Sequence, residues 1–375
     1  MSGRNVKHWR LAALLSCAIV MIGQIVVADM HDYDVPGETV IADNTVSRPV
    51  GFVRVEVPAE GRVAASIPFE AFDPTLAEIF ERQLSGPTNV YGEYRILQWD
   101  RQSQTYTMAT KLHGPDENLV RGTWLSDVES AVPSDMTLMP GSAFWIEGHS
   151  DQPRFAFLWG DLPLEESVID TLYPGMNFLG SPYPSVVSLD SNSPLALPAS
   201  GYWYQLDTDE TLDLEISRPY ADVFPSSGLP VIVDMHINEE CNEIGLEIAC
   251  SGEEGERLEI LFKDLDPTNA LDTAAGWKLA DTLPPSETEL PEDADADQWL
   301  TVGWTDGGVG KDRRGKVNEV FGRIYMAGRS DIDTDRDGIP DCRESFIYGT
   351  APDNRDTDGD GLSDAEELKY GTDPL

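Results

Sequence analysis

Between residues 48 and 225 the chain alternates apolar and polar side chains in short runs, GFVRVEV, YRILQW, SAFWIEG, RFAFLWG and YWYQL, separated by Pro, Gly, Ser and Asn. A period of two puts every second side chain on one face, so each run predicts a strand; many short strands with turn residues between them predict an all-β sandwich. Only LAEIFERQL at 76–84 keeps a helical spacing. A second group, LPVIVDMHI, LEIAC, RLEILFKDL, QWLTVGW and VFGRIYMAG, occupies 228–330 and predicts another such unit. SGEEGE reads as a hairpin loop between two of these strands, VFGRIYMAG as an alternating strand, and the acidic, Pro-rich LPPSETELPEDADADQ at 283–298 as a surface loop. The expected fold class is all-β: two β-sandwich-like domains, 48–225 and 228–330, then a tail, 331–375, with little regular secondary structure. The first domain carries L-x-P-G-x-x-F twice, at 138–144 and 172–178, which predicts an internal duplication in which a Pro-Gly turn feeds a strand whose Phe enters the core.

In the tail the pattern changes to oxygen-bearing side chains on alternate positions. Asp333, Asp335 and Asp337 stand at positions 1, 3 and 5 of a loop, Gly338 at 6, Asp341 at 9 and Glu344 at 12. The same set returns 23 residues later as Asp356, Asp358, Asp360, Gly361, Asp364 and Glu367. Ca²⁺ takes six to eight hard oxygen ligands, which carboxylates on alternate residues supply while Gly permits the bend at position 6. Position 7 lends only a backbone carbonyl, so apolar Ile339 and Leu362 are acceptable there. Both copies meet D-x-[DN]-x-[DN]-G-x5-E in full. The tail holds 14 acidic side chains against four basic ones, so without metal it repels itself, and metal binding becomes folding free energy.

DTDGDGLSDAEELKYGTDP closely resembles the bacterial form of the thrombospondin type 3 repeat. The resemblance covers about an eighth of the chain. It implies that the carboxylates above are calcium ligands, that the modules are extracellular, and that stacked copies form a calcium-stiffened rod. The pieces after each closing Glu, SFIY and LKY, are too short to predict a packing helix of the kind an EF-hand needs. The first copy departs by one inserted residue before Tyr348 and by Arg336 where the second has Gly359, which predicts weaker binding there.

The beginning of the chain agrees with export. Arg4, Lys7 and Arg10 precede the apolar run LAALLSCAIVMIGQIVVA, which predicts a signal peptide over 1–28, cut after Ala28 and followed by a linker over 29–47. A retained signal anchor and a lipidated Cys17 are the alternatives, and no other segment is apolar enough to span a bilayer. The formal net charge of −41 excludes ordinary phosphate-backbone binding and favours divalent cations. Nucleic acid is therefore not an expected partner; calcium is, with a cell-surface protein or polysaccharide as the macromolecule.

Cys241 and Cys250 are candidates for a short disulfide, and Cys342 for a free thiol or an intermolecular link. Trp277, Trp299 and Trp304 read more readily as core residues than as a sugar-stacking platform; Tyr202, Trp203 and Tyr204 must alternate in direction. His31, His113, His149 and His236 form no H-E-x-x-H, and neither a nucleophile elbow nor a phosphate loop occurs. The paired acids at 207 and 209, and at 264 and 266, lack the Gly and closing Glu of a calcium loop. The expected function is a secreted or surface-displayed, non-enzymatic calcium-binding protein for adhesion, envelope attachment or spacing. The alternatives are a carbohydrate-binding or polymer-docking module, or a hydrolase without a local motif.

Overall fold

The computed structural model describes residues 45–375 apart from 81–82, 85–91, 114–122, 189–194, 222, 225–229, 239–242, 252–254, 275, 284–299 and 308–319. The predicted signal peptide, the linker up to residue 44, Cys241, Trp299 and nearly all of the acidic insert lie outside the described residues.

In chain order the strands are β1 (Val50–Val57), β2 (Glu60–Ser66), β3 (Gly92–Asp100), β4 (Thr105–His113), β5 (Trp124–Asp127), β6 (Val132–Pro133) and β7 (Ala143–His149). They continue as β8 (Arg154–Asp161), β9 (Ser167–Leu172), β10 (Gly175–Gly180), β11 (Val187–Ser188), β12 (Leu195–Ala196), β13 (Gly201–Leu206) and β14 (Leu212–Ser217). The last six are β15 (Val231–Ile237), β16 (Ile244–Cys250), β17 (Leu258–Leu265), β18 (Lys278–Thr282), β19 (Leu300–Asp306) and β20 (Gly322–Arg329). Among the described residues helix is confined to α1 (Leu76–Ile79), α2 (Asp341–Arg343) running into a π-helical turn (Glu344–Tyr348), and α3 (Asp364–Tyr370). LAEIFERQL thus yields a single described turn, capped by Thr75, whose hydroxyl accepts from the Glu78 N–H.

Among the described residues the three larger antiparallel sheets form three layers, beside three two-stranded ribbons, β10-β13, β11-β12 and β9-β14. The middle sheet runs β18-β17-β20-β1-β8, a six-stranded sheet runs β2-β7-β3-β4-β5-β6, and a three-stranded one runs β15-β16-β19. Alternate residues of the middle strands enter two different cores. Val53, Leu158, Leu261, Ile324 and Met326 pack with Tyr94, Ile96, Phe144 and Ile146 of the six-stranded sheet. Phe52, Phe157, Ile260, Tyr325 and Ala327 pack with Met235, Ile244, Leu246 and Ile248 of the three-stranded one. The fold is all-β, and its two sandwiches have the middle sheet in common.

Several expectations change in consequence. The boundary at 225–228 does not divide the sheets, because β1 hydrogen-bonds β20 on one side (Val53↔Gly322) and β8 on the other (Val53↔Leu158). VFGRIYMAG forms a strand that alternates between two cores and not between core and solvent: all eight residues of β20 are buried, since both faces of a middle layer are covered. SGEEGE lies mostly outside the described residues, and the strands on either side of it do not form a hairpin: β16 pairs with β15 and β19, whereas β17 pairs with β18 and β20. The end of the predicted linker belongs to the core, with Val46 buried and bridged to Gly328. The two L-x-P-G-x-x-F motifs are alike in their turns: Gly141 and Gly175 have φ of 77° and 98°, Gly141 two residues before β7 and Gly175 as the first residue of β10, and Phe144 and Phe178 are buried.

Candidate metal centre

The tail leaves β20 as two loops with the same internal wiring. In the first, Asp333 accepts the N–H groups of Arg336 (2.8 Å) and Gly338 (3.1 Å); in the second, Asp356 accepts those of Gly359 (2.8 Å) and Gly361 (2.9 Å). Asp335 accepts from Asp337 N–H and Asp358 from Asp360 N–H, both at 3.0 Å. Asp337 accepts from Ile339 N–H at 2.8 Å and Asp360 from Leu362 N–H at 2.9 Å. Each bond folds the backbone around the carboxylates, so oxygens of Asp333, Asp335 and Asp337 lie within 4.8 Å of one another, as do those of Asp356, Asp358 and Asp360. Gly338 and Gly361 sit at φ of 106° and 102°, where a side chain would be strained. Arg336 occupies the left-handed region at 63°, where the second loop has Gly359 at 78°, so the first loop carries a conformational cost of about 1 kcal/mol that the second avoids.

The remaining acids fall into two groups. Asp341 and Asp364, expected as ligands at position 9, turn both oxygens onto the loop's own second residue. Thr334 donates its N–H (2.8 Å) and hydroxyl (2.6 Å) to Asp341, and Thr357 its N–H (2.9 Å) and hydroxyl (2.7 Å) to Asp364. These bonds close the loops, with the Thr at position 2 of both copies as their sequence signal, and leave each oxygen a lone pair for a cation, as the paired N–H bonds to Asp333 and Asp356 do. Glu344 and Glu367, at position 12, are buried, and the Oε2 atom of each has no hydrogen-bond partner; Asp335 Oδ2 is likewise unpartnered. A buried carboxylate oxygen without a donor is costly, and a cation seated among these groups removes that cost. The donor set is all hard oxygen, which suits Ca²⁺ and offers nothing to a thiophilic metal. The predicted position-7 residues flank it, Ile339 buried and Leu362 half-buried.

Burial, reinforced by Asp335, Asp337 and Asp341, pushes the Glu344 carboxyl up to about 7 against the opposing Thr350 hydroxyl. Burial also raises Glu367, with Asp358, Asp360 and Asp364 adding to it. Because the folded pKa of Glu344 is raised, this group's contribution to metal-free stability is present at acid pH and lost as pH rises through about 7. In EDTA the thermal midpoint is therefore expected to fall between about pH 5 and pH 8, while saturating calcium, which binds the charged form, reverses the trend. Calorimetric scans at the two pH values check this.

The pieces after the closing acids do form helical turns, contrary to the expectation from their length. Each starts inside its loop, at Asp341 and Asp364, and α3 has a full capping box between Ser363 and Glu366. The extra residue of the first copy is absorbed by the π-helical turn. Gly349 N–H reaches back five residues to Glu344 O (2.7 Å), whereas Gly371 N–H reaches back four to Glu367 O (2.8 Å). Both glycines then end the helix in the left-handed region.

The first turn also packs on the body. Phe346 stacks on Phe224 (5.8 Å, 5°) and meets Trp277 edge-on (6.2 Å, 80°). Arg343 donates Nε (2.7 Å) and Nη2 (2.5 Å) to the two oxygens of Glu259 on β17, which is buried. Cys342 lies so close to β20 that a Cβ on Gly328 would stand 3.0 Å from its Sγ. The thiol is buried, which pushes its pKa up to about 12, and an intermolecular disulfide has no route to it in this fold. The second loop is joined to the first through Asp337 Oδ2, which accepts the Ala365 N–H at 2.9 Å.

Other predicted positions are dispersed. Trp277 is in the core, and Trp304 donates to Asp281 (3.1 Å). Cys250 is buried at the end of β16, so its pairing with Cys241 falls outside the described residues. His149 lies between Glu60 and Glu147 on the surface, and His236 stands 3.5 Å from Asp234. Asp264 pairs with Arg323, Asp266 caps a turn at Thr268, and Asp207 accepts from Gln205.

Two tandem oxygen-lined loops on an all-β body define a calcium-binding repeat protein. The bacterial TSP3 repeat family matches residues 356–375, which contain the second loop and α3. Repeats of this family are of an extracellular, calcium-binding type. No curated protein and no solved structure matches the chain. Among the described residues no helix is long and apolar enough to cross a membrane.

Proposed function

We propose that this chain is an exported, non-enzymatic protein of the cell surface or surroundings, in which calcium orders the tail and the β layers serve adhesion, envelope attachment or spacing. The observation that carries the reading is the pair of identically wired Asp triads, each closed by a buried Glu with an unpartnered oxygen. Asp333, Asp335, Asp337 and Glu344 hold one ion, and Asp356, Asp358, Asp360 and Glu367 the other. Ile339 and Leu362 lend carbonyls, and Asp341 and Asp364 hold the loops closed. Such loops suit extracellular calcium, with dissociation constants of about 10⁻⁴–10⁻³ M.

Asp360→Ala removes one of the second loop's few charged ligands and is expected to weaken that site at least about tenfold, a loss near 1.4 kcal/mol. Titration calorimetry of the full chain up to millimolar calcium reads it; unchanged affinity would reject the ligand assignment. Chelation is expected to expose residues 356–375 to protease before the first repeat, because the body holds only the first. Cleavage sites mapped by mass spectrometry give the order, and early cleavage within β1–β20 would reveal calcium sites elsewhere.

A further inference from the structure

A circuit of five aromatic rings opens on the face of the six-stranded sheet opposite the core. Trp145 stacks on Phe178 (5.3 Å, 18°) and Phe178 on Trp203 (4.6 Å, 19°). Trp203 meets Trp99 edge-on (5.4 Å, 78°), and Trp99 meets Tyr106 (4.8 Å, 68°). The Trp145 indole N–H reaches Tyr106 Oη at 3.3 Å and closes the circuit. Only Phe178 is buried; Trp99 and Trp145 are half-buried, and Trp203 and Tyr106 are 40% and 42% exposed. Met108, one step along β4 on the same face, is 46% exposed. We propose that this face binds a neutral polysaccharide, a partner that lies beyond the calcium reading, since none of these residues belongs to the tail.

Packing explains only part of the circuit. Phe178 and Trp145 fasten the β10–β13 ribbon to the sheet, but Tyr106 and Met108 on β4 present apolar surface that is 42% and 46% exposed among the described residues. The rings are also held in place: Trp99 Nε1 donates to Met176 O at 2.8 Å, and Trp145 Nε1 to Tyr106. Locked side chains lose little rotamer entropy when a ligand arrives, which favours a binding surface over a mobile one. From β7 to β4 the rings span two inter-strand spacings, about 10 Å, long enough for an extended chain to lie across them.

Charge selects the ligand. The chain as a whole is strongly acidic, so a polyanion approaches against the field. At this face the cations are largely compensated: Arg101 pairs with Asp170, Arg95 with Glu93 and Glu147, and Arg62 lies over the Trp145 ring at 4.8 Å. A neutral sugar polymer fits, with its C–H faces on the rings and its hydroxyls toward polar groups. Such groups line a cleft of about 420 Å³ that starts at Trp99 and includes Gln98, Ser142, Asp170 and Tyr173.

The test is affinity electrophoresis of the full chain, with calcium present, through gels containing hydroxyethyl cellulose, galactomannan, soluble starch or dextran sulfate. Retardation by at least one neutral polymer, with a shift in tryptophan emission on binding, is the expected result. Tyr106→Ala should weaken it at least tenfold. Met108→Glu, which places a charge on the face without removing a ring, should do the same at an unchanged melting temperature. If Tyr106→Ala fails to fold, Met108→Glu decides. No retardation by any neutral polymer, retardation by dextran sulfate alone, or undiminished retardation of Met108→Glu overturns the proposal.

Discussion

Glu344→Gln is expected to shift stability in opposite directions with and without calcium. In EDTA the native side chain is a buried carboxyl whose Oε2 finds no donor and whose pKa is pushed up to about 7. The amide removes a buried charge that metal-free protein must either protonate or bear, so above neutral pH the variant should melt higher than the native chain in EDTA. In saturating calcium the same substitution deletes a charged ligand and should weaken the first site about a hundredfold, near 3 kcal/mol, with the calcium-induced rise in melting temperature shrinking to match. A residue serving only as a hydrogen-bond acceptor for Thr350, a role the amide oxygen keeps, would leave the calcium-induced rise in melting temperature unchanged. Scanning calorimetry of native and variant chains in EDTA and in millimolar calcium separates the two, and an undiminished calcium-induced rise in the variant would reject a metal-ligating role.

The loops were legible in the sequence because their chemistry is local. Alternate carboxylates, one Gly and a closing Glu all act within twelve residues, and Asp333 to Asp337 are brought together by their own backbone N–H groups. What escaped was long-range. Glu259 and Arg343 are 84 residues apart, and nothing local at either position says that β17 runs beside the first repeat. The single-residue insertion was visible as a mismatch between the copies, but its absorption by a π-helical turn depends on hydrogen bonds that spacing alone leaves open. The β body followed the same division. Strand existence could be read from alternation, whereas β20 could not be placed, because burial on both faces erases the pattern that would have announced its face. Likewise SGEEGE has hairpin chemistry, yet layer assignment is decided by which strands its neighbours pair with.

That docking changes what calcium can do for the molecule. A rod hinged to the body would order only itself, but here the first loop runs straight into the turn that carries Cys342, Arg343 and Phe346 onto β17 and β20. Ordering of the loop and seating of the turn are thus one event, and metal bound at Asp333–Asp337 should stabilise the middle sheet as well as the tail. The Cys342 thiol reports on it. Buried at about 12, it should resist a thiol reagent in calcium and react once chelation frees the turn.

Arg343→Ala should sever this connection. It leaves Glu259, only 2% exposed, without its bidentate partner, and removal of one member of a buried pair costs about 3–5 kcal/mol. The Arg343 side chain keeps 28% of its surface in water, which places the expected loss at the lower end, about 3 kcal/mol. The double variant Arg343→Met, Glu259→Gln should recover much of it, since neither group is then left charged and alone. Urea unfolding followed by tryptophan fluorescence gives the cycle, with Trp277 reporting on the contact directly. If docking couples the loop to the body, the calcium-dependent gain in body stability should also shrink in Arg343→Ala while calcium affinity at the second loop stays unchanged. A coupling energy within about 0.5 kcal/mol of zero would assign the docking to Phe346 and its ring contacts, because contacting residues that act together depart from additivity by more than that.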